Sequence, residues 1–109
     1  MSRLAATLER LEAVIASRRG ADPTQSWSAR LIAEPALAAR KVAEEAVELA
    51  LAAVLRDTPA VTSEAADLIY HILALLTGAG VGLDDVAAVL EAREGRSGVD
   101  EKASRMQGG

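Results

Sequence analysis

Four carboxylates with a repeated spacing are the residues best suited to chemistry. Glu45 and Glu48 stand three apart, and so, after fifteen intervening residues, do Glu64 and Asp67. Residues three apart share one face of a helix, so each segment would present two carboxylates side by side. Like charges at that spacing cost roughly 0.2–0.5 kcal/mol on an isolated helix, and apolar surroundings add a desolvation penalty. Both segments are apolar around these acids: Lys41 to Leu55 is polar only in its acidic first half, and Val61 to Leu76 only at Thr62, Ser63, Glu64, Asp67, Tyr70 and His71. Two such acidic combs facing each other across a helix pair would be relieved by a shared divalent cation. Oxygen ligands without thiolates suit a hard ion, Mg²⁺ with Mn²⁺ as substitute. The plainer alternative is that acids early in a helix favour the macrodipole and are merely solvated, a description that suits Glu44. For two combs on two apolar helices the shared ion is the better account.

Other polar residues on these segments carry two readings each. Lys41 can pair with Glu44 or Glu45, or reach a phosphate at the edge of the site. His71 follows Asp67 by one turn, where it could extend the stripe as a ligand, although a hydrogen bond to a carboxylate or packing at the core edge is the commoner role. Tyr70 reads as a packing residue with a satisfied hydroxyl rather than a catalytic acid. Trp27 could stack on a base or anchor the core.

Helices must position these groups. Leu4, Leu8, Leu11, Val14 and Ile15 recur at three- and four-residue steps and predict a helix over about 3–19, ended by Gly20. Ser26 can cap a short helix from Trp27 to Ala33, which Glu34-Pro35 interrupts. A long helix over about 36–56 follows, then another that opens around Pro59 and runs to about Thr77. The glycines 78, 80 and 82 make a turn, and Leu83, Val86, Val89 and Leu90 mark a last helix ending near Arg93. Residues 1–94 form the expected catalytic domain, and 95–109 a flexible tail able to fold over a ligand.

Composition agrees. Among 109 residues there are 24 alanines, one Trp, one Tyr and no Phe, a mixture that favours helices over a β-sandwich. The expected fold is all-α, a bundle of about four to five helices. Alanine buries little surface, so a bundle this small gains from sharing its core with a second copy, and a homodimer or larger homo-oligomer is expected. Twelve basic against sixteen acidic residues give a formal charge of −4, which argues against nucleic acid as partner. No cysteine is present, which excludes disulfides and thiolate chemistry. The apolar runs are expected to fall short of a membrane span, and Glu9, Arg10 and Glu12 break any signal-peptide core, so a cytoplasmic location is the default.

Lys41-Val-Ala-Glu-Glu-Ala-Val-Glu48, taken with Glu64-Ala-Ala-Asp-Leu-Ile-Tyr-His71, resembles the phosphoribosyl-ATP pyrophosphatase family of histidine biosynthesis. The acidic motif by itself would indicate the wider all-α nucleotide pyrophosphohydrolases of MazG type. Flanking segments narrow it: Arg18-Arg-Gly-Ala-Asp-Pro23 with Ser26-Trp-Ser-Ala-Arg-Leu31 is similar to that family's N-terminal signature, and Glu94-Gly-Arg-Ser-Gly98 with Glu101-Lys-Ala-Ser-Arg105 to its tail. Trp27 stands where tyrosine is usual, Arg30 where lysine is, and Ala43 where glycine commonly precedes the paired glutamates.

The resemblance implies Mg²⁺-dependent hydrolysis of phosphoribosyl-ATP between its α and β phosphates, to phosphoribosyl-AMP and pyrophosphate, in a homodimer with sites near the subunit interface. It implies Glu45, Glu48, Glu64 and Asp67 as metal ligands, with Glu44 binding a second metal or orienting water. Arg18, Arg19, Arg30 and Lys41, joined by Arg96, Lys102 and Arg105 from the tail, become candidates for gripping phosphates. Two other functions fit the same helices: a house-cleaning hydrolase of free triphosphates such as dCTP or dUTP, and a non-enzymatic helical dimerisation module whose acids are solvated.

Overall fold

The computed structural model describes residues 2–95, and these form five helices and no strand. They are α1 (Arg3–Ser17), α2 (Trp27–Ala33), α3 (Pro35–Val54), α4 (Thr58–Gly78) and α5 (Leu83–Ala92). Every expected helix is present, with ends displaced by one or two residues.

The starts follow capping chemistry. The side chains of Ser2, Ser26 and Asp57 accept from the backbone N–H of Ala5, Ala29 and Ala60 at 3.3, 3.1 and 3.2 Å, each satisfying a donor the helix leaves open. Between α2 and α3 the break is a single residue, Glu34, extended at φ −123°, ψ 79° as the residue before a proline must be. Pro35 then begins α3, where its missing N–H costs nothing.

The two long helices are joined by a turn in which Arg56 takes φ +58°, while the N–H of Asp57 returns to the carbonyl of Ala52 at 3.1 Å. That pattern usually has glycine at the left-handed position. At the end of α4 the same role falls to Gly80, φ +75°, with Val81 N–H reaching the Leu76 carbonyl at 2.9 Å.

Among the described residues helices α3 and α4 make the most extensive contact, α1 packs on α4, and α2 lies against both long helices. Ile15, Leu31, Ile32, Ala38, Leu73 and Ala74 form the core, flanked by Leu8, Leu11, Leu37, Ile69, Tyr70, Leu75 and Leu83. Glu12 ties α1 to α5 by accepting the N–H of Leu83 at 2.8 Å. The core is small for the chain: its largest wholly buried side chains are Ile15 and Leu31. Val47, Leu51 and Val54 of α3 and Leu55 at its C-cap stay exposed, the last two at 77%. A radius of gyration of 16.2 Å likewise exceeds the about 13 Å of a packed domain near 100 residues.

One expectation needs correction. The 21 residues of α4 are long and apolar enough to cross a membrane by length and composition. The reason is its stretch from Leu68 to Leu76, apolar except at Tyr70 and His71. Here that helix carries Glu64, Asp67 and His71 and supplies core residues for α1, α2 and α3.

Candidate metal centre and active site

The α3–α4 pair brings three of the predicted carboxylates together. One oxygen from each of Glu45, Glu48 and Glu64 lies within 4.8 Å of the others. Glu45 is 8% exposed, Glu64 half-buried and Glu48 open to solvent, so the group forms a cup with a dry floor and a wet rim.

The close approach of the three carboxyl groups favours the protonated form of Glu64. Glu64 is raised from 4.5 to about 7, foremost because its protonated carboxyl can hydrogen-bond the carboxylates of Glu48 and then Glu45; loss of hydration and the two negative charges add to this. Its Oε2 is buried without a hydrogen-bond partner. A buried orphan oxygen beside two converging carboxylates is a donor set that a hard divalent cation fits: oxygens only, negative, and partly open so that water and phosphate can complete the shell.

Asp67, expected as the fourth ligand, is exposed and stands outside this group; its carbonyl accepts a hydrogen bond with His71 Nδ1 at 2.8 Å. Glu44 turns away. Adjacent residues on a helix point about 100° apart, and Glu44 faces Lys41 Nζ at 3.5 Å and Arg40 Nε at 3.6 Å. Of the two partners expected for Lys41, the structure shows Glu44.

The other candidate cations are spread out. Arg30 pairs with Glu34 at 3.0 Å and places its Cζ 5.5 Å from the centre of the Trp27 ring. Arg19 donates to the Thr77 carbonyl, thirteen residues along α4 from Glu64 and therefore about 20 Å away at 1.5 Å per residue. Arg18 is exposed at the end of α1. Arg96, Lys102 and Arg105 lie outside the described residues.

Behind the cup the aromatic residues interlock. Trp27, 41% exposed, donates its indole N–H to His71 Nε2 at 3.2 Å and so is neither a buried anchor nor a free platform. Tyr70 meets Ser28 through its hydroxyl, the satisfied packing role expected of it. His71 is buried, with Nδ1 3.9 Å from Glu45 Oε1. The pairings Trp27–His71 and Ser28–Tyr70 join residues more than forty apart, and no spacing along the chain signals them.

Comparison with known sequences identifies the family. The family model described as phosphoribosyl-ATP pyrophosphohydrolase matches residues 8–94, a span that includes all five helices except the first five residues of α1. The phosphoribosyl-ATP pyrophosphatase of Caulobacter vibrioides is 55% identical over 103 residues, 94% of this chain and 96% of its own. That of Dinoroseobacter shibae is 54% identical over 90% of this chain and 97% of its own. That of Methylobacterium radiotolerans is 52% identical, with 91% and 94% covered. Identity at that level over nine-tenths or more of the chain, with a family model that spans residues 8–94, establishes that this chain belongs to the phosphoribosyl-ATP pyrophosphohydrolase family.

Proposed function

We propose that this chain hydrolyses phosphoribosyl-ATP between the α and β phosphates, releasing phosphoribosyl-AMP and pyrophosphate as a step of histidine biosynthesis in the cytoplasm. The observation that carries this is the convergence of Glu45, Glu48 and Glu64, the last with a buried, unpartnered oxygen, in a chain of this family.

In this reading Glu45, Glu48 and Glu64 hold Mg²⁺, for which Mn²⁺ substitutes, and Asp67 at the exposed rim joins them. The ion supplies charge neutralisation for the triphosphate and for the leaving pyrophosphate. Glu44, held by Arg40 and Lys41, orients water or serves a second ion. The attacking water gives its proton to the carboxylate cluster, which titrates as a unit, so the base is the cluster and not one named residue. Lys41 of α3 and Arg30 of α2 bind phosphate oxygens. Arg18, Arg19, Arg96, Lys102 and Arg105 are assigned to the same task on the resemblance alone, the last three from a tail following the catalytic domain.

The active unit in this reading is a homodimer. Support comes from Val47, Leu51, Val54 and Leu55, which repeat at four-, three- and one-residue steps along α3 and its C-cap as one exposed apolar stripe.

Incubation with phosphoribosyl-ATP, ATP or dCTP, with Mg²⁺ or EDTA, tests the substrate. Pyrophosphate is expected from phosphoribosyl-ATP alone, and only with the metal. Release confined to the free triphosphates would make the chain a house-cleaning hydrolase, and none from any substrate by folded protein would overturn the enzymatic reading.

A further inference from the structure

His71 is buried against the acid cluster with no part assigned to it, and its surroundings fix its chemistry. Trp27 Nε1 lies 3.2 Å from Nε2, and the Asp67 carbonyl oxygen 2.8 Å from Nδ1. An indole N–H only donates and a peptide carbonyl only accepts. Both contacts are satisfied together by one form of the ring, neutral, with its proton on Nδ1. A proton on Nε2 would face the indole N–H head-on.

The ring is also held in place. Tyr70 packs edge-on against it, with centroids 5.1 Å apart and planes at 82°, and the Tyr70 hydroxyl is bonded to Ser28. The Nδ1–H is thereby fixed beside Asp67 and 3.9 Å from Glu45 Oε1, the least exposed of the three converging acids. At that distance it acts on the carboxylate as the positive end of a dipole and not through a hydrogen bond.

We propose that His71 is a positioning residue for the acid cluster: its Nδ1–H, locked by the Trp27 indole, orients the carboxylate of Glu45 toward a divalent cation shared with Glu48 and Glu64. His71 touches neither ion nor substrate, and Trp27 acts one link further back. Groups standing behind the ligands commonly set both their direction and the affinity of a site. This inference rests on the cluster being a divalent-cation site, as proposed above.

Mn²⁺ binding without substrate, followed by the electron paramagnetic resonance of the free ion, tests it, with melting in EDTA as the control for folding. His71→Leu removes the donor. His71→Asn keeps an N–H near the Nδ1 position, and Trp27→Phe keeps a ring but removes the lock. His71→Leu is expected to weaken Mn²⁺ binding by roughly 10–100-fold, with His71→Asn and Trp27→Phe, which each keep the donor and lose the lock, between it and wild type. A folded His71→Leu protein with wild-type affinity would overturn the proposal, as would His71→Asn losing as much as His71→Leu, since packing alone would then explain the histidine. Should His71→Leu fail to fold, Trp27→Phe decides, and unchanged affinity there overturns the lock. Absence of saturable Mn²⁺ binding in the wild type would instead defeat the underlying metal-site reading, and this proposal with it.

Discussion

Glu64 is where the cost of gathering acids is concentrated. With Glu48 and Glu45 beside it, its carboxyl is raised from 4.5 to about 7, so the metal-free fold favours the protonated form. A group whose folded value lies above its unfolded one contributes stability that is full below about 4.5 and lost as pH rises through about 7. Protein stripped of metal by EDTA should therefore melt at a lower temperature at pH 8 than at pH 5, and Glu64→Gln should flatten that difference. Equal slopes in the two proteins would mean that Glu64 is not the group responsible. A metal must displace the same proton, so Mg²⁺ affinity should rise between pH 5 and 7, with proton release measurable by calorimetry in buffers of different ionisation enthalpy. An affinity unchanged across that range would place the ion elsewhere.

The helices themselves were legible because their signals are local. Leucines at three- and four-residue steps, Ser26 as a cap, Glu34-Pro35 as a break and Pro59 as an opener are each read within a single turn of chain. The acid site was legible in part. Spacing of three put Glu45 with Glu48 and Glu64 with Asp67, but which of the four meet depends on how α3 crosses α4, and that crossing is set by core residues such as Ala38, Leu73 and Ala74. Asp67 therefore stands outside the group although its spacing matches that of Glu48. Contacts from α2, among them Trp27 to His71, had no signal at all, since loop and core geometry alone bring those residues together. Arg56 is a similar case, an arginine in the left-handed conformation where glycine is preferred. Arg56→Gly should stabilise the protein by about 0.5–1 kcal/mol, and Gly80→Ala, at φ +75°, should destabilise it by about 1 kcal/mol. Urea melts of the two variants measure both, and a destabilised Arg56→Gly would show that the arginine side chain contributes more than its backbone strain costs.

For the whole molecule, a small alanine-rich core beside an open apolar stripe describes a fold that gains by association. Light scattering should give a mass near twice 11.3 kDa at micromolar concentration. Leu51→Glu combined with Val54→Glu should lower that mass to the monomer's; an unchanged dimer would place the interface on another face. The central claim, however, is that the acids joined by the α3–α4 pair are the machinery of hydrolysis. It is tested most directly by the rate of pyrophosphate release from phosphoribosyl-ATP at saturating Mg²⁺, in wild type and in Glu48→Gln, with circular dichroism to show that both are folded. Glu48 sits at the wet rim, so its amide should disturb the fold little while removing a ligand. A fall of roughly 100-fold or more with helicity intact is expected; a folded Glu48→Gln protein turning over at the wild-type rate would contradict the account.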